Sequence, residues 1–390
     1  MKRNIIIFFL AMIICSGINA QQNVGYKQGN IVSPQINDDH TITLRLNAPL
    51  AQSVTVKGDW EADGGMGTMT KDNNGIWSFT TTTLPSDMYL YTFKVDGVQI
   101  IDPVNPFSCR DVGNLYSVVI TNGGNGDEYS VKDVPHGSVI RTWYQSVQYK
   151  TERRLTIYTP PGYQDSKKKY PVLYLLHGSG GDEEAWVTLG EVSRILDNLI
   201  AEGKAEPMIV VMPNGNPSKQ AAPGETKENL SYHPVMSNNL PGYKDGSYEL
   251  SFKEIVDYVD KHFQTKPEKS QRAVAGLSMG GFHSLFVSAD HPELFDYVGL
   301  FSPGINFSQL NMTLPAYSNM NDKLTAQMKS GVKLYWMGIG KTDGLYKPMQ
   351  AYKSKLDSLN FKYKYVESTR GHIWSNWRIY MLQFVPLLFR

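Results

Sequence analysis

The chain contains little cysteine and almost no net charge. Among its 390 residues there are two cysteines, Cys15 and Cys109, and Cys15 lies in a segment that we expect to be removed. One remaining cysteine cannot form an internal disulfide, and no group of cysteines and histidines has zinc-site spacing. The net charge of +1 argues against nucleic acid as the main partner. We therefore expect a fold held by its core, with no metal and no cofactor.

Long hydrophobic runs are missing beyond the first twenty residues. MKRNIIIFFLAMIICSGINA has a basic start, an apolar run of about eleven residues and a small-residue end, which predicts a secretory signal peptide cleaved after Ala20. A membrane helix needs about 20 apolar residues, so the run is too short to span a bilayer. Lipid attachment at Cys15 is the alternative, but bulky Ile14 stands where a small residue is expected. The sequence thus predicts export to the periplasm or the extracellular space, without a membrane segment in the mature chain.

Residues 21–125 are predicted to form an all-β domain. Short apolar and polar alternations are separated by turn signals at 72–75 and 96–97, a spacing typical of an Ig-like β-sandwich. The predicted strands are 41–46, 53–60, 76–84 and 88–97. The glycine-rich segment 121–128 is predicted to be a linker or a loop near the domain boundary.

The pattern changes near residue 137, and we assign residues 126–390 to a second domain. Apolar strand-like runs here alternate with segments of helical spacing, which predicts a doubly wound α/β domain. The predicted strands are 154–158, 171–176, 208–212, 272–277, 332–337 and 361–366. The predicted helices are 183–201, 248–263, 279–289 and 374–388.

Residues 276–280 read GLSMG, the pattern G-x-S-x-G, between a predicted strand and a predicted helix. A sharp turn at this point raises the hydroxyl of Ser278 above the sheet edge, where a substrate can reach it. Gly276 and Gly280 allow the strand and helix to approach without Cβ clashes. The following helix directs its free N–H groups toward the serine. A chance glycine-rich turn is the competing interpretation.

A serine nucleophile needs a base and an acid. His372 is the only histidine after His291, and in the chain order serine, acid, histidine the base comes last. Asp343 follows the predicted strand 332–337 and is the candidate acid, although an ordinary Asp-Gly turn is an alternative. The competing carboxylates Asp322 and Asp357 fit less well, because one precedes the strand and the other lies in a helix-like run.

Two backbone N–H groups are expected to hold the oxyanion. Met279 directly follows the serine and supplies the first. The loop 176–186, LHGSGGDEEAW, resembles the HG-type loop of lipases, and we assign the second donor to Ser179. We expect His177 to shape this loop without transferring protons.

Four separated motifs together resemble the esterase D-like family of carbohydrate esterase family 1, which includes feruloyl and acetylxylan esterases. They are YTPPGY (158–163), LLHGSGGDEEAW (175–186), GLSMGG (276–281) and GHIWSNWR (371–378). This resemblance covers about residues 137–390. It implies an α/β-hydrolase fold with Ser278 as nucleophile, His372 as base and Asp343 as acid.

The N-terminal region resembles carbohydrate-binding module family 48 in VKGDW (56–60), YLYTFKVDG (89–97) and DPVNP (102–106). Aromatic side chains in both regions have two interpretations, because they either contact ligand or fill cores. Trp60, Trp77 and Tyr91 are candidates for stacking on sugar rings. Trp186, Trp374 and Trp377 are candidates for a slot around a phenolic ring.

The resemblance implies an exported serine esterase that releases ferulic or related hydroxycinnamic acids from arabinoxylan side chains. The expected partners are plant cell-wall polysaccharide or oligosaccharide esters. An acetylxylan or other acyl-sugar esterase with the same triad is an alternative, and so is a non-catalytic glycan-binding protein. Acyl transfer to a sugar instead of water is a further possibility.

Overall fold

The computed structural model describes residues 31–60, 65–226 and 234–390. The predicted signal peptide lies outside these residues. The N-terminal part is all-β, and its strands are β1 Gln35–Ile36, β2 Ile42–Asn47, β3 Val54–Gly58, β4 Met66–Thr68, β5 Thr70–Lys71, β6 Ile76–Thr80, β7 Met88–Val95, β8 Val98–Ile100, β9 Ser108–Asp111 and β10 Asn114–Ile120. They form two antiparallel sheets with the orders β1-β2-β6-β5 and β4-β3-β7-β10-β9, and β8 pairs with β7 in the second sheet.

The second of these sheets is covered on both faces. Successive side chains of a strand point to opposite sides. In β7, Tyr89, Tyr91 and Phe93 enter the sandwich core, whereas Met88 and Leu90 pack against the C-terminal part of the chain. The sandwich is therefore joined to the rest of the molecule by a continuous apolar core.

The C-terminal part is built on one eight-stranded sheet, whose strands are β11 Ser138–Ser146, β12 Thr151–Thr159, β13 Val172–Leu176, β14 Ile209–Pro213, β15 Arg272–Leu277, β16 Tyr297–Phe301, β17 Leu334–Gly340 and β18 Lys364–Ser368. Their order in the sheet is β11-β12-β14-β13-β15-β16-β17-β18. Strands β11 and β12 are antiparallel to their neighbours, and the other six run parallel to one another. Strands β13 to β16 are buried along their length, which explains their continuous apolar sequences.

Helices lie on both faces of this sheet, each face having its own apolar core. The helices are α1 Asn125–Tyr129, α2 Ala185–Thr188, α3 Val192–Ala201, α4 Ser247–Ser251, α5 Lys253–His262, α6 Met279–Asp290, α7 Met320–Lys329, α8 Tyr346–Ser358 and α9 Trp374–Phe384. An all-β region followed by an α/β-hydrolase-type domain is the fold class predicted from the sequence.

Some predicted elements differ in detail. The helix predicted at 183–201 is two helices, because Glu191 adopts a left-handed conformation (φ 50°) between α2 and α3. The segment 121–128 does not form a free linker. It leads into α1, and the Asn198 side-chain amide donates to the carbonyls of Glu128 and Ser130 at 3.1 Å each. This segment is thereby fixed to the α/β domain.

None of the helices in 31–60, 65–226 and 234–390 is both long and apolar enough to cross a bilayer. The same residues contain no cluster of three or more histidine, cysteine or carboxylate side chains arranged to hold a metal ion.

Candidate active site

Ser278 lies at a sharp corner between β15 and α6. Its backbone is in an unusual region (φ 53°, ψ −112°), which is the strained turn expected for a nucleophile. The corner closes only because of its glycines. A Cβ on Gly276 would lie 2.5 Å from the carbonyl carbon of Gly280, and one on Gly280 would lie 2.3 Å from the oxygen of Leu176. Strand and helix are in contact here, as the glycine spacing predicted.

The structure brings Ser278, His372 and Asp343 into one hydrogen-bonded row. His372 Nε2 lies 3.0 Å from Ser278 Oγ, and His372 Nδ1 lies 2.8 Å from Asp343 Oδ2. An ionised Asp343 only accepts, so it fixes the proton on Nδ1 and leaves Nε2 to accept from the serine. The imidazole is about one-third exposed whereas the carboxylate is fully buried.

The electrostatics of Asp343 favour its ionised form. Burial opposes ionisation, but the hydrogen bond and positive charge of His372 and the donated N–H of Leu345, at 2.8 Å, outweigh it and hold the pKa of Asp343 below its usual value. The two competing carboxylates are elsewhere. Asp322 lies in the first turn of α7, and Asp357 lies in α8, where it accepts from Tyr363.

The predicted oxyanion loop lies beside Ser278. An added Cβ on Gly178 would be 3.4 Å from Ser278 Cβ, and Ser179 borders the same cavity as the serine hydroxyl. Met279 is the first residue of α6, where backbone N–H groups have no intrahelical partner. The hydroxyl of Ser179 points away and accepts from the N–H of Ser237 at 2.9 Å. The donor roles of Met279 and Ser179 stay predictions.

His177 has the loop-shaping position expected from the sequence. It is buried, its Nδ1 donates to the carbonyl of Gly178, and its Nε2 accepts from the N–H of Gly215, both at 2.8 Å. Burial lowers its pKa to about 4, so the ring is neutral near pH 7. His283 is also buried and bonds Glu249 at 2.7 Å, away from the row.

A cavity of about 210 Å³ opens at Ser278 and His372. Trp374 and Trp377 border it, together with Val112, Met236 and other groups. We name this space the serine cavity. Both tryptophans are more than nine-tenths buried in the core, so each presents only a small part of its ring to the cavity, beside the serine.

Trp186 is not part of this surface. It is fully buried, donates its indole N–H to the carbonyl of Leu176 at 3.0 Å, and packs edge-on against Trp374 behind the cavity. In the sandwich, Trp60, Trp77 and Tyr91 are all buried in the core, so the core interpretation of these aromatics is confirmed and stacking on sugar is wrong for them.

The Esterase family model matches residues 146–386, which include the whole hydrogen-bonded row. The chain belongs to this esterase family. That membership confirms the esterase part of the sequence-based identification, whereas the assignment of the N-terminal region to a carbohydrate-binding family stays a prediction.

Among curated proteins, the esterase is 34% identical to an endo-1,4-beta-xylanase/feruloyl esterase of Xylanibacter ruminicola, over 70% of this chain and 36% of that protein. It is 28% identical to endo-1,4-beta-xylanase Y of Acetivibrio thermocellus, over 43% of this chain and 14% of that protein. The chain thus spans about a third or less of these relatives.

Among solved structures, a ferulic acid esterase of Anaeromyces mucronatus superposes with a TM-score of 0.53 and 22% identity, covering 72% of this chain and 96% of that one. An enterobactin esterase of Shigella flexneri superposes with a TM-score of 0.61 and 17% identity, covering 89% and 92% of the two chains. Both likenesses establish the fold.

The loop that carries His372 in this esterase is tied to the sandwich. Arg370 Nη1 lies 3.3 Å from Asp87 Oδ2 and 2.8 Å from the hydroxyl of Ser375, which itself donates to Asp87. Arg378 in α9 reaches the same carboxylate at 3.4 Å. Residues on both sides of His372 are therefore held by one buried carboxylate at the start of β7.

Sequence reasoning missed the contribution of the sandwich to this site. Asp111 and Val112, at the end of β9 and in the turn after it, border the serine cavity. They are distant from the triad in sequence and match no motif. The only local signal is that they stand in a turn, which does not indicate what the turn touches.

Proposed function

We propose that this protein is a serine carboxylic-ester hydrolase that releases ferulic or related hydroxycinnamic acids from arabinoxylan side chains. The observation that carries the proposal is the hydrogen-bonded row of Ser278, His372 and Asp343 beside a cavity bordered by Trp374 and Trp377. The hydroxycinnamate part draws support from the name of the Xylanibacter relative and from the ferulic acid esterase among the structural neighbours.

The geometry suits acyl transfer in two stages. Ser278 Oγ attacks the ester carbonyl while His372 Nε2 takes its proton, and Asp343 stabilises the resulting imidazolium. N–H groups of Met279 and Ser179 hold the oxyanion in this proposal. His372 then protonates the departing alcohol oxygen, which leaves an acyl-enzyme. Water, deprotonated by the same histidine, releases the acid and restores the serine.

Export is part of the same proposal. It rests on the basic, apolar and small-residue order of residues 1–20, which predicts a signal peptide cleaved after Ala20. An exported enzyme meets polymeric cell-wall esters directly. Detection of mature protein starting at residue 21 in the periplasm or medium would support it, and a retained leader in the cytosol would contradict it.

The activity is tested with methyl ferulate, 4-nitrophenyl acetate, acetylated xylan and feruloylated arabinoxylan, with and without a xylanase. We expect release of ferulic acid. Ser278→Ala should lower kcat by a factor on the order of 10⁶, because no acyl-enzyme can form without the serine hydroxyl. Ser358→Ala is a matched control, since Ser358 is exposed at the end of α8.

Each alternative has its own result. Hydrolysis of acetyl esters alone would reject the hydroxycinnamate assignment in favour of an acetyl esterase. An unchanged rate in Ser278→Ala, with glycan binding retained, would indicate a binding protein and reject the catalytic proposal.

A further inference from the structure

A second cavity, of about 360 Å³, meets the serine cavity at the catalytic row. The two share Asp111, His372, Trp374 and Trp377. Of the two cavities, Ser278, Gly178 and Ser179 border the serine cavity and not the second one. The second cavity continues from His372 across the face of the sandwich. We name it the sandwich cavity.

The order of proton transfers distinguishes the two spaces. His372 must protonate the alcohol oxygen as it departs, so the alcohol lies on the histidine side of the scissile bond. The carbonyl oxygen and acyl group lie toward Ser278 and the oxyanion loop. A space that reaches His372 without touching the serine is therefore on the alcohol side of the ester.

The groups around the sandwich cavity are those that bind hydroxyls. Lys57 donates hydrogen bonds, Gln99 and Asn114 donate and accept them, and Tyr116 adds an aromatic face with a polar end. Leu90 and Ile373 add apolar surface, against which the carbon face of a sugar ring can pack. A polyhydroxylated alcohol, such as a sugar, matches this set.

Asp111 stands at the junction of the two cavities and is held there firmly. Its neighbour Arg110 forms an ion pair with Asp182 in the loop after β13 and donates to the carbonyl of Val112 at 2.7 Å. This joins the β9–β10 hairpin to the oxyanion loop. Burial raises the pKa of the Asp111 carboxyl, whereas the positive charge of Arg110 and a hydrogen bond from Trp374 favour its ionised form, as a further donor such as a sugar hydroxyl would.

The hairpin also carries backbone strain. Val112 has a positive φ of 52°, which is an unfavourable conformation for a β-branched residue. Its side chain approaches Gly180, where an added Cβ would lie 2.8 Å from a Val112 methyl. Strain of this kind persists where surrounding contacts hold it, and it is frequent at ligand sites. Here those contacts join the hairpin to the catalytic domain.

We propose that the sandwich cavity is the binding site for a sugar alcohol of the ester, and that Asp111 accepts a hydrogen bond from a hydroxyl of that sugar. This inference rests on the proposed ester hydrolysis and goes beyond it by making the sandwich part of substrate recognition. Asp111 is in this view a specificity-determining residue.

The test compares two esters with the same acid and different alcohols: methyl ferulate and 5-O-feruloyl-L-arabinofuranose. The measured quantity is the ratio of kcat/KM for the sugar ester to that for the methyl ester. Asp111→Ala should lower this ratio about ten- to a hundredfold, the effect of losing a hydrogen bond to a charged group. Asp111→Asn, which keeps an acceptor oxygen, should give a smaller fall. Asp38→Ala, an exposed change elsewhere on the sandwich, should leave the ratio unchanged.

A ratio that stays at the wild-type value in Asp111→Ala, or an equal loss on both esters, would overturn the proposal. If Asp111→Ala does not fold, as judged by circular dichroism and thermal melting, the exposed Asn114→Ala variant replaces it. The ratio of kcat/KM for the sugar ester to that for the methyl ester should fall several-fold in Asn114→Ala. A ratio equal to that of wild type would overturn the proposal. A wild type that hydrolyses neither ferulate ester would instead reject the hydroxycinnamate assignment. In that case, the acetyl esters of methanol and of L-arabinofuranose test the sugar site separately.

Discussion

The buried pair of Asp87 and Arg378 provides a sharp test of how the two parts of the chain depend on each other. Arg378 is fully buried and Asp87 is 3% exposed. The guanidinium also donates to the carbonyls of Leu189 and Met88 at 2.8 Å each. Asp87→Asn keeps the shape of the side chain but removes its charge. The cation then remains buried without its ion-pair partner, and only the more distant carboxyls of Asp59 and Glu191 interact with its charge.

Removing one partner of a buried ion pair costs about 3–5 kcal/mol. At about 1–2 °C per kcal/mol for a chain of this length, the melting temperature should fall by roughly 5 °C. Replacing Arg378 by methionine in the same variant should recover much of the loss, because the unpaired charge is then gone. Thermal unfolding of wild type, both single variants and the double variant completes a double-mutant cycle.

The same perturbation should reach catalysis, since Asp87 also holds Arg370 and Ser375 on either side of His372. We expect kcat of Asp87→Asn to fall more than KM rises, measured well below its melting temperature. A loss of stability under about 1 kcal/mol, or a double variant as unstable as the sum of the two single changes, would refute the reasoning.

Two further predictions concern the loops around the nucleophile. Folding lowers the pKa of His177 from 6.5 to about 4. As the pH falls, the unfolded chain therefore binds a proton at this imidazole before the folded chain does. The free energy of unfolding should fall by about 3 kcal/mol between pH 6.5 and pH 4 for this reason. Denaturant titrations at several pH values measure this fall, which should be smaller in His177→Gln than in wild type. An equal dependence of unfolding free energy on pH in the two proteins would contradict the lowered pKa of His177. Gly280→Ala should destabilise the fold by about 1–3 kcal/mol or more and abolish most activity, since its Cβ meets Leu176 at 2.3 Å. The control Gly344→Ala has open space, and equal melting temperatures for the two variants would contradict the packing argument.

The hydrogen-bonded row of Ser278, His372 and Asp343 was predictable because it depends on chain order and local chemistry. A glycine-flanked serine between a buried strand and a helix marks a corner. The ends of parallel strands meet at one edge of a sheet, which places Asp343 after β17 and His372 after β18 near that corner. Element bounds were less predictable. The break at Glu191, for example, is a backbone conformation that helical periodicity does not report.

The sequence by itself determined the fold class and predicted the strained serine corner and the row of Ser278, Asp343 and His372, because each depends on local pattern and on the connectivity of a parallel sheet. Only the tertiary structure decided that Asp87 supports the His372 loop and that Asp111 borders the serine cavity. Asp87 and Ser375, for example, are 288 positions apart in the chain. No periodicity or motif extends over such a separation. Packing of one sheet of the sandwich against α9 and the oxyanion loop creates them.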